Sequence, residues 1–292
     1  MDYTKQLFDY FAESEEHMQL VVTPHAPPIE RLLHSIEVAM ETIWTEEDLS
    51  DTLIGLKAYS EKQALSAQLN NTSLQKSETF CLSIKGIGRF RVSYLTQRGS
   101  FAFTMQRIPF SIKQCSDLNI EPKVVERMLN ALCNPAGGIC AVFGPSADAN
   151  SKLVYALLKH INKRERKIIL ILERDLTHLM RHDNSVVIQR ELGSDCTTFD
   201  DGIREGLDLS PNIIFAGDLL LTDRLPSLVR AAETNSNIIL SIVANDKESF
   251  LHILKSIFQD QYAIFGRRTH EIVKVSPLPN GGISAAMAVQ TT

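Results

Sequence analysis

The stretch GPSADANSK, Gly144 to Lys152, lies between an apolar run, GGICAVF (Gly137 to Phe143), and an amphipathic one, LVYALLKHI (Leu153 to Ile161). A strand, a tight loop and a helix in that order is where a nucleotide-binding chain carries G-x-x-x-x-G-K and then Ser or Thr, the loop amides cradling phosphates. Gly144 supplies the first glycine, but Ala149 stands in place of the second and Asn150 in place of the lysine, while Ser151 keeps the final hydroxyl. The match alone reads more readily as an ordinary turn in which Asp148 or Asn150 caps a helix. The rest of the chain has to decide.

Around this stretch, helical segments alternate with short apolar, β-branched runs: GICAVFG, KIILILE, SVVIQRE, PNIIFAGD and NIILSIVAND. Strands separated by helices predict an α/β domain over residues 121–292, with a RecA-like, mainly parallel sheet and helices on both faces. Residues 1–112 read differently. A helical opening breaks at TPHAPPIE, helical periodicity resumes through SIEVAMETIW and LSDTLIGLKAYSEKQAL, and FCLSIKG, GRFRVSYL and SFAFTMQRI then alternate as strands. This predicts a smaller α+β, PAS-like N-terminal domain, joined to the second by a linker at 113–120. No repeat or low-complexity segment stands out.

The chain has 292 residues, 44% hydrophobic and 22% charged, enough for one or two domains with a sizeable core. A net charge of -5 gives no broad basic surface, so nucleic acid is not an expected partner. The five cysteines form no C-x-x-C pair and read as reduced thiols filling the core. The N-terminus carries acids where a signal peptide needs a basic and then an apolar region, and no apolar run approaches the roughly 20 residues that cross a bilayer. The expectation is a cytoplasmic protein, with docking at the inner membrane left open.

Several segments at fixed spacing speak to function. GIGRFRVSYLTQR (Gly86 to Arg98), QRELGSD (Gln189 to Asp195) with Phe199, SPNIIFAGD (Ser210 to Asp218) and AAETNS (Ala231 to Ser236) follow one another collinearly with the phosphate-loop stretch. In this arrangement the chain resembles the retraction ATPases of type IV pili, the PilT and PilU group within the type II/IV secretion ATPase superfamily, and looks nearest to PilU. Those segments are similar to the family's G-I/V-x-R-F-R-V strand, Q-R-E-V/I-G segment, Walker B strand and A-A-E-T-G-H segment. The chain stops after GGISAAMAVQTT, so the family's C-terminal helical region, with its A-I-R-N-L-I-R-E motif, is expected to be missing.

The resemblance implies a nucleotide site built from Gly144, Ser146, Asn150 and Ser151, with Arg89 and Arg91 from the N-terminal strand, Ser151 as the remnant Mg²⁺ ligand, and Glu173 and Asp218 as remnant catalytic acids. Position by position, its chemistry is weakened. The family's loop glycines fall on Ala147 and Ala149 and its lysine on Asn150; an L-residue in a left-handed loop position costs roughly 1–2 kcal/mol. Lys152 cannot readily replace the lysine, because two helical residues turn a side chain by about 200°. Asp148 would repel a phosphate about 5 Å away by roughly 3 kcal/mol at an effective dielectric near 20. In the acidic box, Glu173 survives while the second glutamate is Thr177. Asp218 replaces the Walker B glutamate, Asn212 the strand's first aspartate, and Val243 the histidine that senses the γ-phosphate; the arginine expected before Ile108 and Pro109 is Gln106, with Arg107 beside it.

Blander readings stand beside these. Glu173, Asp218 and Asp223 read equally as strand-end and cap acids. Arg89 and Arg91 alternate with Phe90 and Val92 as a solvated strand face would. His178 and His182, four apart in an expected helix, lack a third metal ligand and read as a solvated helix face. The resulting expectation is a catalytically impaired pseudo-ATPase serving type IV pilus retraction, or a related secretion machine. It would join or modulate an active paralogue in a homo- or hetero-hexameric ring with an intact PilT-like ATPase, against the pilus inner-membrane platform protein. ATP and Mg²⁺ are not required on this reading; the alternative is a weakly active motor that still uses them.

Overall fold

The computed structural model describes residues 1–16, 18–32, 35–61, 74–279 and 281–288. Two compact units divide between Pro109 and Phe110.

In the first unit, helix α1 (Thr4–Glu13) precedes three short strands, β1 (Gln19–Val22), β2 (Ile29–Arg31) and β3 (Ile36–Val38), then helix α2 (Glu46–Glu61) and strands β4 (Ser77–Ile84), β5 (Gly88–Gln97) and β6 (Ser100–Ile108). The six strands form an antiparallel sheet in the order β3-β2-β1-β6-β5-β4. Its core is period-two in origin: Phe90, Val92 and Tyr94 of β5 and Phe103 and Met105 of β6 turn inward against Leu7 and Phe11 of α1 and Leu49, Leu53 and Leu56 of α2. Three strands were not expected. The SIEVAMETIW stretch, expected to be helical, holds β3, which pairs Ile36 and Val38 with Arg31 and Ile29. Met40 and Trp44, four apart and both buried, mimic a helical period, whereas Ile36 and Val38 keep the spacing of a strand. The end of the helical reading in KQAL, 62–65, lies outside the described residues.

In the second unit, helix α3 (Pro122–Leu132) leads to β7 (Gly138–Gly144), α4 (Ala147–Arg164), β8 (Ile168–Glu173), β9 (Val186–Glu191), α5 (Phe199–Leu207), β10 (Ile213–Leu219), α6 (Pro226–Glu233), β11 (Asn237–Val243), α7 (Lys247–Phe258), α8 (Tyr262–Arg268), β12 (Thr269–Pro277) and β13 (Ile283–Met287). The seven-stranded sheet runs β13-β12-β7-β11-β10-β8-β9 and is parallel apart from β13. Alternate residues of β7 serve its two faces. Cys140 and Val142 join Leu153, Leu157 and Ile161 of α4. Ile139, Ala141 and Phe143 join Phe250 of α7 and Phe265 of α8. The expected α/β class, with a mainly parallel sheet covered on both faces and a smaller α+β unit before it, is what the chain adopts. The 113–120 stretch, read as a linker, contributes Leu118 and Ile120 to the core of this second unit. Among the described residues no helix is long and apolar enough to cross a membrane.

Candidate functional site

Gly144, Ser146, Asn150, Ser151, Glu173, Asp218 and Val243 lie at or near the carboxyl ends of the parallel strands, where open α/β sheets bind ligands. Register fixes the neighbours: Gly144 ends β7 opposite Val243 of β11, Glu173 ends β8 opposite Gly217 of β10, and Glu173 also faces Glu191 of β9.

The connection after β7 is short. Pro145 and Ser146 alone separate the strand from α4, and Ser146 is the N-cap, its side chain accepting a hydrogen bond from Ala149 N at 3.3 Å. Ala147 and Ala149, at the family's glycine positions, are therefore already helical, so the left-handed strain expected of them does not arise. Gly144 is needed for closeness instead. A Cβ there would run into the Val275 carbonyl oxygen and lie 2.8 Å from Asn150 Oδ1. Asn150 has no exposed surface; its Nδ2 donates to the Ile242 carbonyl at 3.1 Å, and its Oδ1 is buried without a partner. The side chain at the lysine position thus ties the first turn of α4 to the end of β11. Asp148 is exposed, but not a bare negative charge as expected: Lys152 returns along the helix to pair with it at 2.7 Å and also reaches the Gly281 carbonyl at 3.3 Å.

Glu173 is the centre of a buried cluster. Tyr155 OH donates to Oε2 at 2.6 Å and Ser151 Oγ to Oε1 at 3.4 Å, while Thr177 adds its backbone N at 3.2 Å and its hydroxyl at 3.3 Å. Gln189 Nε2 donates to Tyr155 OH at 3.2 Å and to the His178 carbonyl at 2.8 Å. Burial raises the Glu173 pKa to about 7 against the opposing pull of Tyr155, Thr177 and Ser151, and burial together with the Glu173 charge raises that of Tyr155. Tyr155 and Gln189 were not singled out as Glu173 partners from the sequence. The available signal for Tyr155 was its place one helical turn after Ser151 on the same face of α4. Thr177 is a ligand of the surviving glutamate rather than only a lost acid.

Asp218 sits in other surroundings. It falls within an irregularity of the β10–β11 pairing, between Ala216 and Leu219, and has a positive φ of 55°. It is half-buried and, among the described residues, makes no side-chain hydrogen bond; burial raises its pKa, and Arg174 opposes that shift. Arg174 itself is committed to Asp223, both oxygens at 3.1 Å, and lies over the Phe199 ring. Asn212, at the other end of β10, accepts from Ile168 N at 2.9 Å and holds strand register. Val243 is 39% exposed.

The structure also corrects the histidine pair. Leu176 to His182 contains no helix: the Glu191 carboxylate and the Gln189 side-chain amide oxygen accept from Leu176 N and Met180 N, pinning the stretch as a loop. His178 packs on Tyr155 with burial lowering its pKa to about 4, and His182 Nδ1 accepts from Val187 N at 3.0 Å. No metal-holding group of three His, Cys, Asp or Glu occurs among the described residues. Ser151, Glu173 and Tyr155 are brought together and Asn150 is turned to β11, while among the described residues no hydrogen bond joins Asp218 to either. In the first unit, Arg89 and Arg91 lie on β5, but Arg91 is only 9% exposed and not on a solvated face. Arg107 is buried, its guanidinium donating to the carbonyls of Phe11 in the last turn of α1 and Ser14 just after it and lying over the Phe11 and Phe90 rings, whereas Gln106 is exposed.

No protein-family model matches the chain. It is 24% identical over 239 residues to the type IV pilus ATPase PilU of Pseudomonas aeruginosa, covering 82% of this chain and 59% of that protein. It is 24% identical over 155 residues to the retraction ATPase PilT of the same organism, covering 53% and 44%. The chain therefore spans less than two thirds of the length of these curated relatives. Among solved structures, the pilus retraction motor PilT with bound ADP superposes with a TM-score of 0.78 at 22% identity, covering 100% of this chain and 84% of that one. The ATPase DotB of Legionella pneumophila gives 0.70 at 16%, covering 98% and 81%. The resemblance to the type IV pilus retraction ATPases of the type II/IV secretion superfamily holds in sequence and in fold.

Proposed function

We propose that the chain serves type IV pilus retraction, or a related secretion machine, as a PilT/PilU-like subunit whose nucleotide site is catalytically impaired, and that it joins or modulates an intact paralogue in a ring. The observation that carries this reading is Asn150: where a cation would reach for phosphate, a fully buried amide is bonded to the Ile242 carbonyl. Its neighbours support it. The two-residue connection leaves little loop to wrap a phosphate, Ser151 is engaged by Glu173, and Val243 offers no hydrogen bond at the γ-phosphate position. On this reading the residues present do not fit a Mg²⁺-triphosphate, and no chemical step is assigned through one.

A weakly active motor is the second reading, favoured by Asp218, a strand-end carboxylate without a hydrogen-bond partner among the described residues. Steady-state ATP turnover of the full chain, with Asp218→Ala as control, separates the two. The impaired subunit turns over no faster than the control; turnover on the order of 1 s⁻¹ that the substitution abolishes is enzyme behaviour and overturns the proposal. Co-purification with an intact PilT-like ATPase tests the partnership, with Arg89→Ala and Arg91→Ala as probes.

A further inference from the structure

The second unit holds a pocket of about 630 Å³ between residues 115–120, α3 and the last turns of α4. That volume lies within the roughly 300–1,000 Å³ of small-molecule sites. It is separate from the strand-end site, because His160 follows Ser151 along α4 by roughly 14 Å at 1.5 Å per residue. Its walls are Leu118, Ile120, Val125, Leu129 and Ile161, suited to an apolar body.

The polar groups of its rim are of unequal use. Arg164 forms no ion pair with a described acid, and its Nη1 meets His160 Nδ1 at 3.0 Å. A guanidinium can only donate, so in this contact Nδ1 accepts from Arg164 and the ring hydrogen lies on Nε2; burial and then the Arg164 charge lower the His160 pKa. The guanidinium and the imidazole therefore present donors to a ligand. Glu126 and Glu165 also line the pocket. Burial raises the pKa of the Cys115 and Cys133 thiols, which line the same pocket, so neither supplies a charge. A planar guanidinium with free donors is matched to a carboxylate, which it can bind through two parallel hydrogen bonds.

We propose that this pocket binds an amphipathic carboxylic acid, its apolar chain lying between α3 and α4 and its carboxylate against Arg164 and His160. Calorimetric titration of the full chain with dodecanoate below its micellar concentration, and with 1-dodecanol as an uncharged probe, tests it. Dodecanoate is expected to bind at least tenfold more tightly than dodecanol. Arg164→Gln should erase that difference while leaving dodecanol binding unchanged, and Leu129→Trp, which fills the pocket, should weaken both tenfold or more. Val125→Phe serves the same purpose should Leu129→Trp fail to fold. Equal affinity of the native chain for the two probes, or undiminished dodecanoate binding in a folded pocket-filling variant, overturns the proposal.

Discussion

Two carboxylates stand at the ends of neighbouring parallel strands, Glu173 on β8 and Asp218 on β10, and their surroundings have little in common. Glu173 is 1% exposed and takes hydrogen bonds from Tyr155, Ser151 and Thr177. Asp218 is half-buried, makes no side-chain hydrogen bond among the described residues, and is held in a left-handed conformation with φ 55°. Packing explains the first: an acid so surrounded is needed by its donors, whatever chemistry it once served. Packing does not explain the second, since the backbone there is costly for an L-residue and the carboxylate receives no bond in return. Persistence of an acidic residue is thus weak evidence of function at Glu173 and stronger evidence at Asp218.

The largest expected effect tests that contrast on stability. Glu173→Ala leaves the Tyr155 hydroxyl and the Ser151 and Thr177 donors without their acceptor in a dry site, and should cost about 3 kcal/mol or more. Asp218→Ala removes no hydrogen bond and should cost no more than about 1 kcal/mol. Denaturant melts of the two variants read the difference directly; similar losses would show that Asp218 is held by contacts equivalent to those of Glu173.

The next effect is a pH dependence with an inverted sign. A carboxyl whose pKa rises from 4.5 in the open chain to about 7 when folded makes the folded state bind more protons between those values. The contribution is fully present below pH 4.5 and is lost as pH rises through about 7, at about 1.4 kcal/mol for each pKa unit. In the same window His178, its pKa lowered to about 4, makes stability rise with pH, so the Glu173 contribution is read as a difference: Glu173→Gln should turn the pH dependence upward relative to the native chain. A slope unchanged by Glu173→Gln would mean that other groups titrate there.

Tyr155→Phe is smaller and acts through the same carboxylate. It removes the shortest donor to Glu173 at 2.6 Å and the acceptor of Gln189 Nε2, costing about 1–2 kcal/mol. Because the Tyr155 hydrogen bond lowers the Glu173 pKa, its loss should extend the Glu173 contribution to the pH profile, measured against Glu173→Gln, to higher pH. A profile that stays in place would remove Tyr155 from the control of that carboxylate.

These partners mark where sequence reading stops. The strands β7, β8, β10 and β11 were legible because apolar, β-branched runs buried on both faces stand between helical periods. Strand β12 was not, since THEIVKVSP interleaves polar residues with Ile272, Val273 and Val275, and in β1 to β3 three- and four-residue pairings override a helix-like spacing. Within the site, collinear motifs placed Asn150, Ser151, Glu173 and Asp218 at the strand ends. They could not show that Asn150 would turn to β11, a contact 92 residues away in sequence, or that Thr177 would fold back on Glu173, which depends on the conformation of the loop after β8. The helical pairing of His178 with His182 failed for the same reason: Glu191 and Gln189, from a neighbouring strand, claim the backbone N–H groups of Leu176 and Met180.

The smallest effect concerns the backbone at Asp218. Glycine enters a left-handed conformation without steric cost, whereas alanine meets a penalty of roughly 1–2 kcal/mol and lacks even the local polar compensation available to aspartate. Asp218→Gly should therefore equal the native chain or exceed it by up to about 1 kcal/mol, while Asp218→Ala falls slightly below it. This order follows only if the side chain contributes no net stabilising contact; an Asp218→Gly chain less stable than Asp218→Ala would show that it does. The expected order, paired with a loss of partner binding or of residual turnover in both variants, would mean that the aspartate is held at a cost to stability for the work done at the strand ends.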